Sequence, residues 1–287
     1  MTKPLFKWTG GKGRLFRKYT DLNFFPDAAD FDYFVDLFFG AGSVSCWVSD
    51  MYPDKPLIIN DINTELMLVY DQIRNNWPEF KEEYTWVYKR FINTPVEERK
   101  ALYNTYKKEY CWEFNCLTDV ELAATLLVLL KTNFNGIWQG YIMYGGRYST
   151  PPGHINYKES LFDIGKVEEF RNVLLRAELH NKSFDEVIIP ERSWVFADPP
   201  YRDTKKMYSD QFNDELQTQL TQVVQQAHLY AESNKEIGDG FWERHFPNSN
   251  IHFLDHKYTC GHGGAVNPVT EVLIKNYGEV LAPITLF

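Results

Sequence analysis

Asp198-Pro199-Pro200-Tyr201 follows directly on an apolar run, Trp194-Val195-Phe196-Ala197. A carboxylate at the C-terminal edge of a strand sits where α/β folds place their ligands. Two prolines fix φ and remove backbone donors, so the turn offers carbonyl oxygens without competing N–H groups. Such a turn suits a substrate carrying an amine. The Asp198 carboxylate and the Pro199 carbonyl would each accept one amine hydrogen and free the nitrogen lone pair for attack, while Tyr201 offers a flat face for stacking. A proline-rich turn after a strand is the plainer account, and the strand in front favours the chemical one.

A second constellation, Asp36-Leu37-Phe38-Phe39-Gly40-Ala41-Gly42-Ser43, runs from an apolar stretch into a glycine turn. Gly40 and Gly42 would let a ligand approach the backbone closely. Asp61 follows Leu57-Ile58-Ile59-Asn60, 25 positions after Asp36, about where a ribose-binding acid stands in a dinucleotide-type fold. The third glycine of G-x-G-x-x-G is missing, since Ser45 and Cys46 occupy that region, which disfavours a nicotinamide cofactor. A third constellation is Phe6-Lys7-Trp8-Thr9-Gly10-Gly11-Lys12-Gly13. It is superficially similar to a phosphate-binding loop, but the upstream glycine and the Ser or Thr after the lysine are both absent, which argues against ATP. The Lys12 ammonium beside a glycine turn is instead suited to the carboxylate of a ligand's methionine moiety.

Those residues need strands to carry them. Phe34–Phe38, Leu57–Ile59 and Trp194–Ala197 are short apolar runs bounded by turn signals, the pattern of buried parallel strands. Helical stretches lie between them, as at Asn63–Asn75, where Leu66, Val69, Tyr70 and Ile73 share a face. The alternation predicts an α/β sheet with helices on both sides. From about Glu79 to Lys131 the chain reads as mainly helical, with a buried helix over Leu122–Leu130. Aromatic and β-branched residues around Tyr144-Gly145-Gly146 then predict a hairpin. The expected organisation is a sheet domain from residues 1–75 and 160–287, with a helical and hairpin insertion over 76–159. Val269–Ile274 is the expected last strand; Tyr230–Glu236 is too polar to be bounded from its pattern alone.

Together, Lys7 to Lys12, Asp36 to Gly42, Asn60-Asp61-Ile62-Asn63 and Asp198 to Tyr201 resemble, in identity and order, the Dam-type DNA adenine-N6 methyltransferases, the D12 class of the alpha group. The resemblance spans nearly the whole chain. It implies a Rossmann-like S-adenosylmethionine-dependent sheet with an inserted target-recognition domain. The substrate it implies is double-stranded DNA, with the methyl group going to the adenine N6 of a base flipped out of the duplex. By resemblance Trp8, Lys12, Asp36, Phe38, Gly40, Gly42, Asp61, Ile62 and Asp198 contact the cofactor, with Asp61 on the ribose hydroxyls, and Phe184 packs on its adenine. Asp198, Pro199 and Tyr201 are the expected catalytic set. The family's F-N-G segment matches Phe134-Asn135-Gly136 and its P-x-G matches Pro151-Pro152-Gly153, which makes Asn135, Gln139, Arg147, Tyr148 and Pro151 the expected DNA contacts. Members that read GATC carry an arginine a few residues after F-N-G, near the position where Gln139 stands; glutamine pairs naturally with adenine, so a target other than GATC is expected.

Composition narrows the rivals. A net charge of −9 counts against a protein that holds DNA by bulk electrostatics and leaves room for a local basic groove. Aromatic residues reach 16%, enough both to fill a core and to supply faces for a base. The four cysteines (Cys46, Cys111, Cys116, Cys260) form no CxxC pair, so no metal is expected, and reduced thiols fit the cytoplasm of a prokaryotic or phage-infected cell. The N-terminus carries no signal-like apolar run, and a monomer is favoured. No cysteine follows a proline, which excludes a cytosine-C5 mechanism. Cytosine-N4 methylation, RNA or free-base methylation, and a non-catalytic DNA-binding relative remain as alternatives.

Overall fold

In a computed structural model, residues 1–138, 141–142, 148–202, 212–258 and 267–278 are described. In chain order the elements are α1 (Phe16–Asp21), β1 (Tyr33–Asp36), α2 (Ser43–Met51), β2 (Leu57–Asn60), α3 (Thr64–Asn75), α4 (Trp77–Asn93), α5 (Arg99–Trp112), α6 (Asp119–Thr132), β3 (Tyr141–Ile142) and β4 (Tyr148–Ser149). There follow α7 (Ile164–Leu175), β5 (Ala177–His180), β6 (Ser193–Ala197), α8 (Asp214–Val224), β7 (Leu229–Lys235), α9 (Phe241–His245), β8 (Asn250–Tyr258) and β9 (Asn267–Lys275). Two compact units divide the chain. One comprises Met1–Gly11, Gly40–Met51 and Asn63–Asn181; the other comprises Lys12–Phe39, Tyr52–Ile62 and Lys182–Phe287. These cuts fall at other points than the bounds expected for the 76–159 insertion.

The second unit holds strands in the order β2-β1-β6-β7-β9-β8. The first four run parallel, with Val35 paired to Ile58 on one side and Val195 on the other, and Val195 paired in turn to Tyr230. Antiparallel β9 and β8 close the order beyond β7. The expected strands at Phe34–Phe38, Leu57–Ile59, Trp194–Ala197 and Val269–Ile274 are all present. Their apolar runs are explained by burial on both faces, since every residue of β2 and β6 is buried. A core of Val35, Leu37, Val195, Leu220, Val224, Phe241, Trp242 and Ile274 lies on one side. Aromatic rings fill much of the rest, with Trp194 ringed by Phe24, Phe31, Phe34 and Tyr52 at centroid distances of 4.9 to 6.1 Å.

Tyr230–Glu236 resolves into β7, a strand buried from Leu229 to Asn234 in spite of its Glu, Ser and Asn. Polar residues are tolerated there because each finds a side-chain partner from a distant segment, described below.

The first unit is mainly helical. Leu122 to Leu130 are all buried in α6, which packs against α3, α4 and α5. Its start is fixed by a capping box, Thr118 with Glu121, worth about 1 kcal/mol. Asn63 caps α3 by accepting from the Glu65 and Leu66 amides, and Leu66, Val69, Tyr70 and Ile73 are buried on it. The expected hairpin has its two strands, with Tyr141 opposite Ser149 and Ile142 opposite Tyr148. Its turn lies outside the described residues. No helix among the described residues is long and apolar enough to cross a membrane.

Candidate active site

Within the second unit, the three parallel strands β2, β1 and β6 bring their C-terminal ends to one edge of the sheet. Asp61 follows β2, Asp36 closes β1 and Asp198 follows β6. This is the edge where an α/β sheet leaves backbone groups and carboxylates for a ligand. Asp36 is 2% exposed. Leu37 continues the ladder by donating to the Phe196 carbonyl, and Phe39 donates to the Asn60 carbonyl.

Buried Asn60 ties this edge to the segment that carries Phe184. Its Nδ2 donates to the carbonyls of Leu37 and Lys182, each at 3.1 Å, and its Oδ1 accepts from the Lys182 amide. Ser183 and Glu186 then cap a single turn, Phe184–Glu186. The result is an aromatic group of Phe184, Phe38 and Phe212, with centroids 5.7 to 6.1 Å apart. Ile62 is 67% exposed just beyond Asp61.

The Asp198 side chain keeps about a fifth of its surface accessible (19%), so a substrate can reach it. Lys12 is 1% exposed, and its Nζ lies 2.7 Å from Asp198 Oδ1, donates to the Tyr201 hydroxyl at 2.9 Å and lies 3.6 Å from Glu271 Oε1. The partner expected for Lys12 was the carboxylate of a methionine moiety; in the structure its ammonium is held by the carboxylate of Asp198. Burial pushes the Asp198 carboxyl up, the Lys12 ammonium pulls it back and the Glu271 charge pushes it up again, to about 6. At neutral pH it is therefore an ionised acceptor, close to its titration point. Pro199 is buried in the same turn.

Behind this pair lies a buried array that the sequence reading missed. Tyr19 of α1 donates to Glu271 Oε1 at 3.0 Å, Ser233 of β7 donates to the same oxygen at 2.8 Å, and Tyr19 also reaches the Ser233 hydroxyl at 2.9 Å. On the opposite face of β7, Glu232 Oε1 accepts from Gln217 Nε2 at 2.5 Å, and Asn234 Nδ2 donates to Gln217 Oε1 at 2.9 Å. Burial raises the Glu232 carboxyl to about 8, with the hydrogen bond from Gln217 lowering it and the Asp198 charge raising it. Arg202, 2% exposed, was also unforeseen. It forks onto Asp214 at 2.8 and 3.0 Å, reaches Asp239 at 2.7 Å and stacks 3.8 Å over the Phe241 ring, which braces the turn after Tyr201. The only sequence signal for these residues is polarity inside segments that otherwise read as sheet or helix.

Within the first unit, Gly40 has φ +51, and a Cβ there would lie 3.1 Å from Trp8 Cδ1. Only glycine allows both the left-handed backbone and the indole against it. Tyr70 holds the same turn by donating to the Gly40 carbonyl at 2.6 Å. Gly42 also has positive φ, +79.

The Phe134-Asn135-Gly136 and Pro151-Pro152-Gly153 segments meet each other in this unit. Asn133 bridges to Pro152, and Phe134 donates to the Pro151 carbonyl. Gly136, at φ +75, backs onto Lys7, where a Cβ would stand 2.8 Å from the Lys7 carbonyl oxygen. Asn135 and Pro151 are exposed. Trp138 is buried and donates to Glu65 Oε2 at 2.8 Å. Gln139 and Arg147 lie outside the described residues, and Tyr148 is described as the first residue of β4. Among the described residues no group of three or more His, Cys, Asp or Glu is arranged to hold a metal ion.

Comparison with known proteins agrees with this chemistry. The family profile of the D12 class N6 adenine-specific DNA methyltransferases matches residues 8–241. Among curated relatives, the type II methyltransferase M.MjaIII of Methanocaldococcus jannaschii is 27% identical over 228 residues, covering 76% of this chain and 78% of its own. M1.LlaDCHI of Lactococcus lactis subsp. cremoris, also a type II methyltransferase, is 25% identical over 96% of both chains. M.CviBI of Paramecium bursaria Chlorella virus NC1A, a third, is 29% identical over 69% of each. An acceptor carboxylate at the end of β6, the strand-end acids beside it and a family match over most of the length lead to one assignment: the chain belongs to the D12 class of N6 adenine-specific DNA methyltransferases.

Proposed function

We propose that this adenine-N6 DNA methyltransferase draws its methyl group from S-adenosylmethionine and acts on an adenine flipped out of duplex DNA. The observation that carries the reading is Asp198, partly accessible at the strand edge and fixed through one oxygen by Lys12.

The donor set of the second unit fits the cofactor: two further carboxylates at adjacent strand ends and aromatic faces at Phe38 and Phe184. S-adenosylmethionine, when bound, supplies a methyl group on a sulfonium. Asp61 is assigned to the ribose hydroxyls, Phe184 and Ile62 to the adenine, and Asp36 and Phe38 to the remaining polar and flat contacts. Trp8, Gly40 and Gly42 keep the cofactor role given by motif resemblance.

The target amine is a poor nucleophile because its lone pair is delocalised into the ring. Asp198 accepts one N6 hydrogen through the oxygen that Lys12 does not hold, and the Pro199 carbonyl accepts the other. Both contacts strengthen as the nitrogen gains positive charge, so they act on the transition state more than on binding. Tyr201 stacks on the base, whose extraction from the duplex costs a few kcal/mol. Asn135, Gln139, Arg147, Tyr148 and Pro151 of the 76–159 insertion are assigned to reading the duplex. A monomer working on DNA in the cytoplasm, on a site other than GATC, completes the reading.

Asp198→Ala tests it. Transfer of labelled methyl groups to DNA is expected to vanish while duplex affinity, measured by anisotropy, stays within a few-fold of the parent. Substantial methylation by this variant would remove Asp198 from the chemistry.

A further inference from the structure

Glu271 lies in the antiparallel strand β9, outside the motifs that carry the family resemblance, yet its side chain is completely buried. A carboxylate in that position is costly unless charge and hydrogen bonds offset the loss of water. Its Oε1 is the meeting point of three groups: the Tyr19 hydroxyl at 3.0 Å, the Ser233 hydroxyl at 2.8 Å and the Lys12 ammonium at 3.6 Å. Two of these partners are rigidly mounted. Ser233 stands on β7, which is hydrogen-bonded to β9, and Tyr19 is buried on α1. Lys12 is different. Its flexible four-carbon stem ends between Glu271, Asp198 and Tyr201.

We infer that Glu271 is a positioning residue for methyl transfer: anchored by Tyr19 and Ser233, it fixes the Lys12 ammonium on Oδ1 of Asp198 and so aims the other carboxylate oxygen at the substrate amine. The inference rests on the reading of Asp198 as the amine acceptor. Among the described residues, the charged and titratable groups around Asp198 are Lys12, Tyr201, Tyr19 on α1, Glu271 on β9 and Glu232 on β7. Of the two buried acids, only Glu271 reaches Asp198 both through space and through a shared cation. Its negative charge raises the Asp198 carboxyl directly. Its grip on Lys12 keeps the ammonium, which lowers that carboxyl, in place. The first effect is electrostatic and the second geometric, so two substitutions separate them.

Glu271→Gln keeps an acceptor for Tyr19, Ser233 and Lys12 but removes the charge. Glu271→Ala removes both. The full-length protein is assayed for methyl transfer to DNA from S-adenosylmethionine over pH 5 to 9, with Asp198→Ala run alongside. In Glu271→Gln, kcat at pH 8 is expected within about threefold of the parent, and the acid limb of kcat is expected to move down by about one pH unit, because a like charge has left the neighbourhood of Asp198. In Glu271→Ala, kcat is expected to drop at least about tenfold, with KM for DNA and for the cofactor within about twofold. A residue that only supported the fold would lower the melting temperature without moving the acid limb.

If Glu271→Gln shows the parent's acid limb, or Glu271→Ala the parent's kcat, while Asp198→Ala is inactive, the positioning role is overturned and the catalytic reading stands. If Asp198→Ala methylates DNA, the catalytic reading itself has failed. Should the alanine variant not fold, Glu271→Asp, which keeps the charge but withdraws it from Lys12, takes its place, and parental kcat in that variant overturns the positioning role.

Discussion

Replacing Glu232 by glutamine should make the protein more stable at neutral and alkaline pH, and the gain should grow with pH. Glu232 is fully buried, accepts one hydrogen bond from Gln217, and has its carboxyl raised by burial from 4.5 to about 8. The folded state therefore keeps a proton on Glu232 that the unfolded chain releases above pH 4.5. Stability must fall as pH rises between the two values, by about 1.4 kcal/mol for each pH unit, on the order of 5 kcal/mol over the whole window. Glutamine preserves the oxygen that accepts from Gln217 and has the shape of the neutral acid, but it does not titrate. The difference in unfolding free energy between variant and parent isolates this one group, since other titrations are common to both. From pH 5.5 to 7.5 that difference should shift by about 2 to 3 kcal/mol in favour of the variant. Urea unfolding followed by tryptophan fluorescence at three pH values measures it. A difference that stays constant across that range would show that Glu232 is ionised in the folded protein and that the reasoning from burial is wrong.

The other predictions concern the reaction. With the Asp198 carboxyl raised to about 6 by burial against the pull of Lys12, protonation removes the acceptor, so kcat should fall about tenfold per pH unit below that point and level off above it. A pH–rate profile flat down to pH 5 would contradict it. Asp61→Ala should weaken S-adenosylmethionine binding by about 2–3 kcal/mol through loss of a charged hydrogen-bond acceptor, and calorimetry showing parental affinity would unseat the ribose assignment. Gln139→Arg should move the methylated sites toward guanine at one position, read by base-modification sequencing, and exclusive GATC methylation by the parent would exclude Gln139 as the reader.

Legibility in the sequence followed the range of the interactions involved. The strands at Phe34–Phe38, Leu57–Ile59 and Trp194–Ala197 were readable because burial on both faces imposes a local apolar run. Asp198 was readable because its two prolines and Tyr201 are adjacent to it, and the helix over Leu122–Leu130 because nine successive residues are buried. The glycine at position 40 declared itself, but the Trp8 ring that explains it is 32 positions away. Tyr230–Glu236 matched a family strand ending in Ser-Asn but could not be bounded from its own pattern, because its polar residues are satisfied from far along the chain. Gln217 serves Glu232 and Asn234, while Glu271 serves Ser233. Lys12 failed in a related way: its neighbours in sequence are glycines, whereas its partners are Asp198, Tyr201 and Glu271.

The polarity of β7 has a consequence for the chemistry. Side chains alternate across a strand, so Ser233 faces Tyr19 and Glu271 while Glu232 and Asn234 face Gln217. On the Ser233 face Lys12 sits with Asp198 and Glu271. The other face offers Glu232 a single amide donor, which does not offset the burial of a charge, and its carboxyl rises to about 8. One strand thus separates an ionised acid array from a protonated acid that sits within the reach of the same Asp198 charge. Were Glu232 ionised at neutral pH, a further negative charge would push Asp198 toward its protonated form and remove the acceptor proposed for the substrate amine. Keeping that acid neutral by burial protects the charge on Asp198, and it confines the cost to the pH window in which the unfolded chain would release the proton.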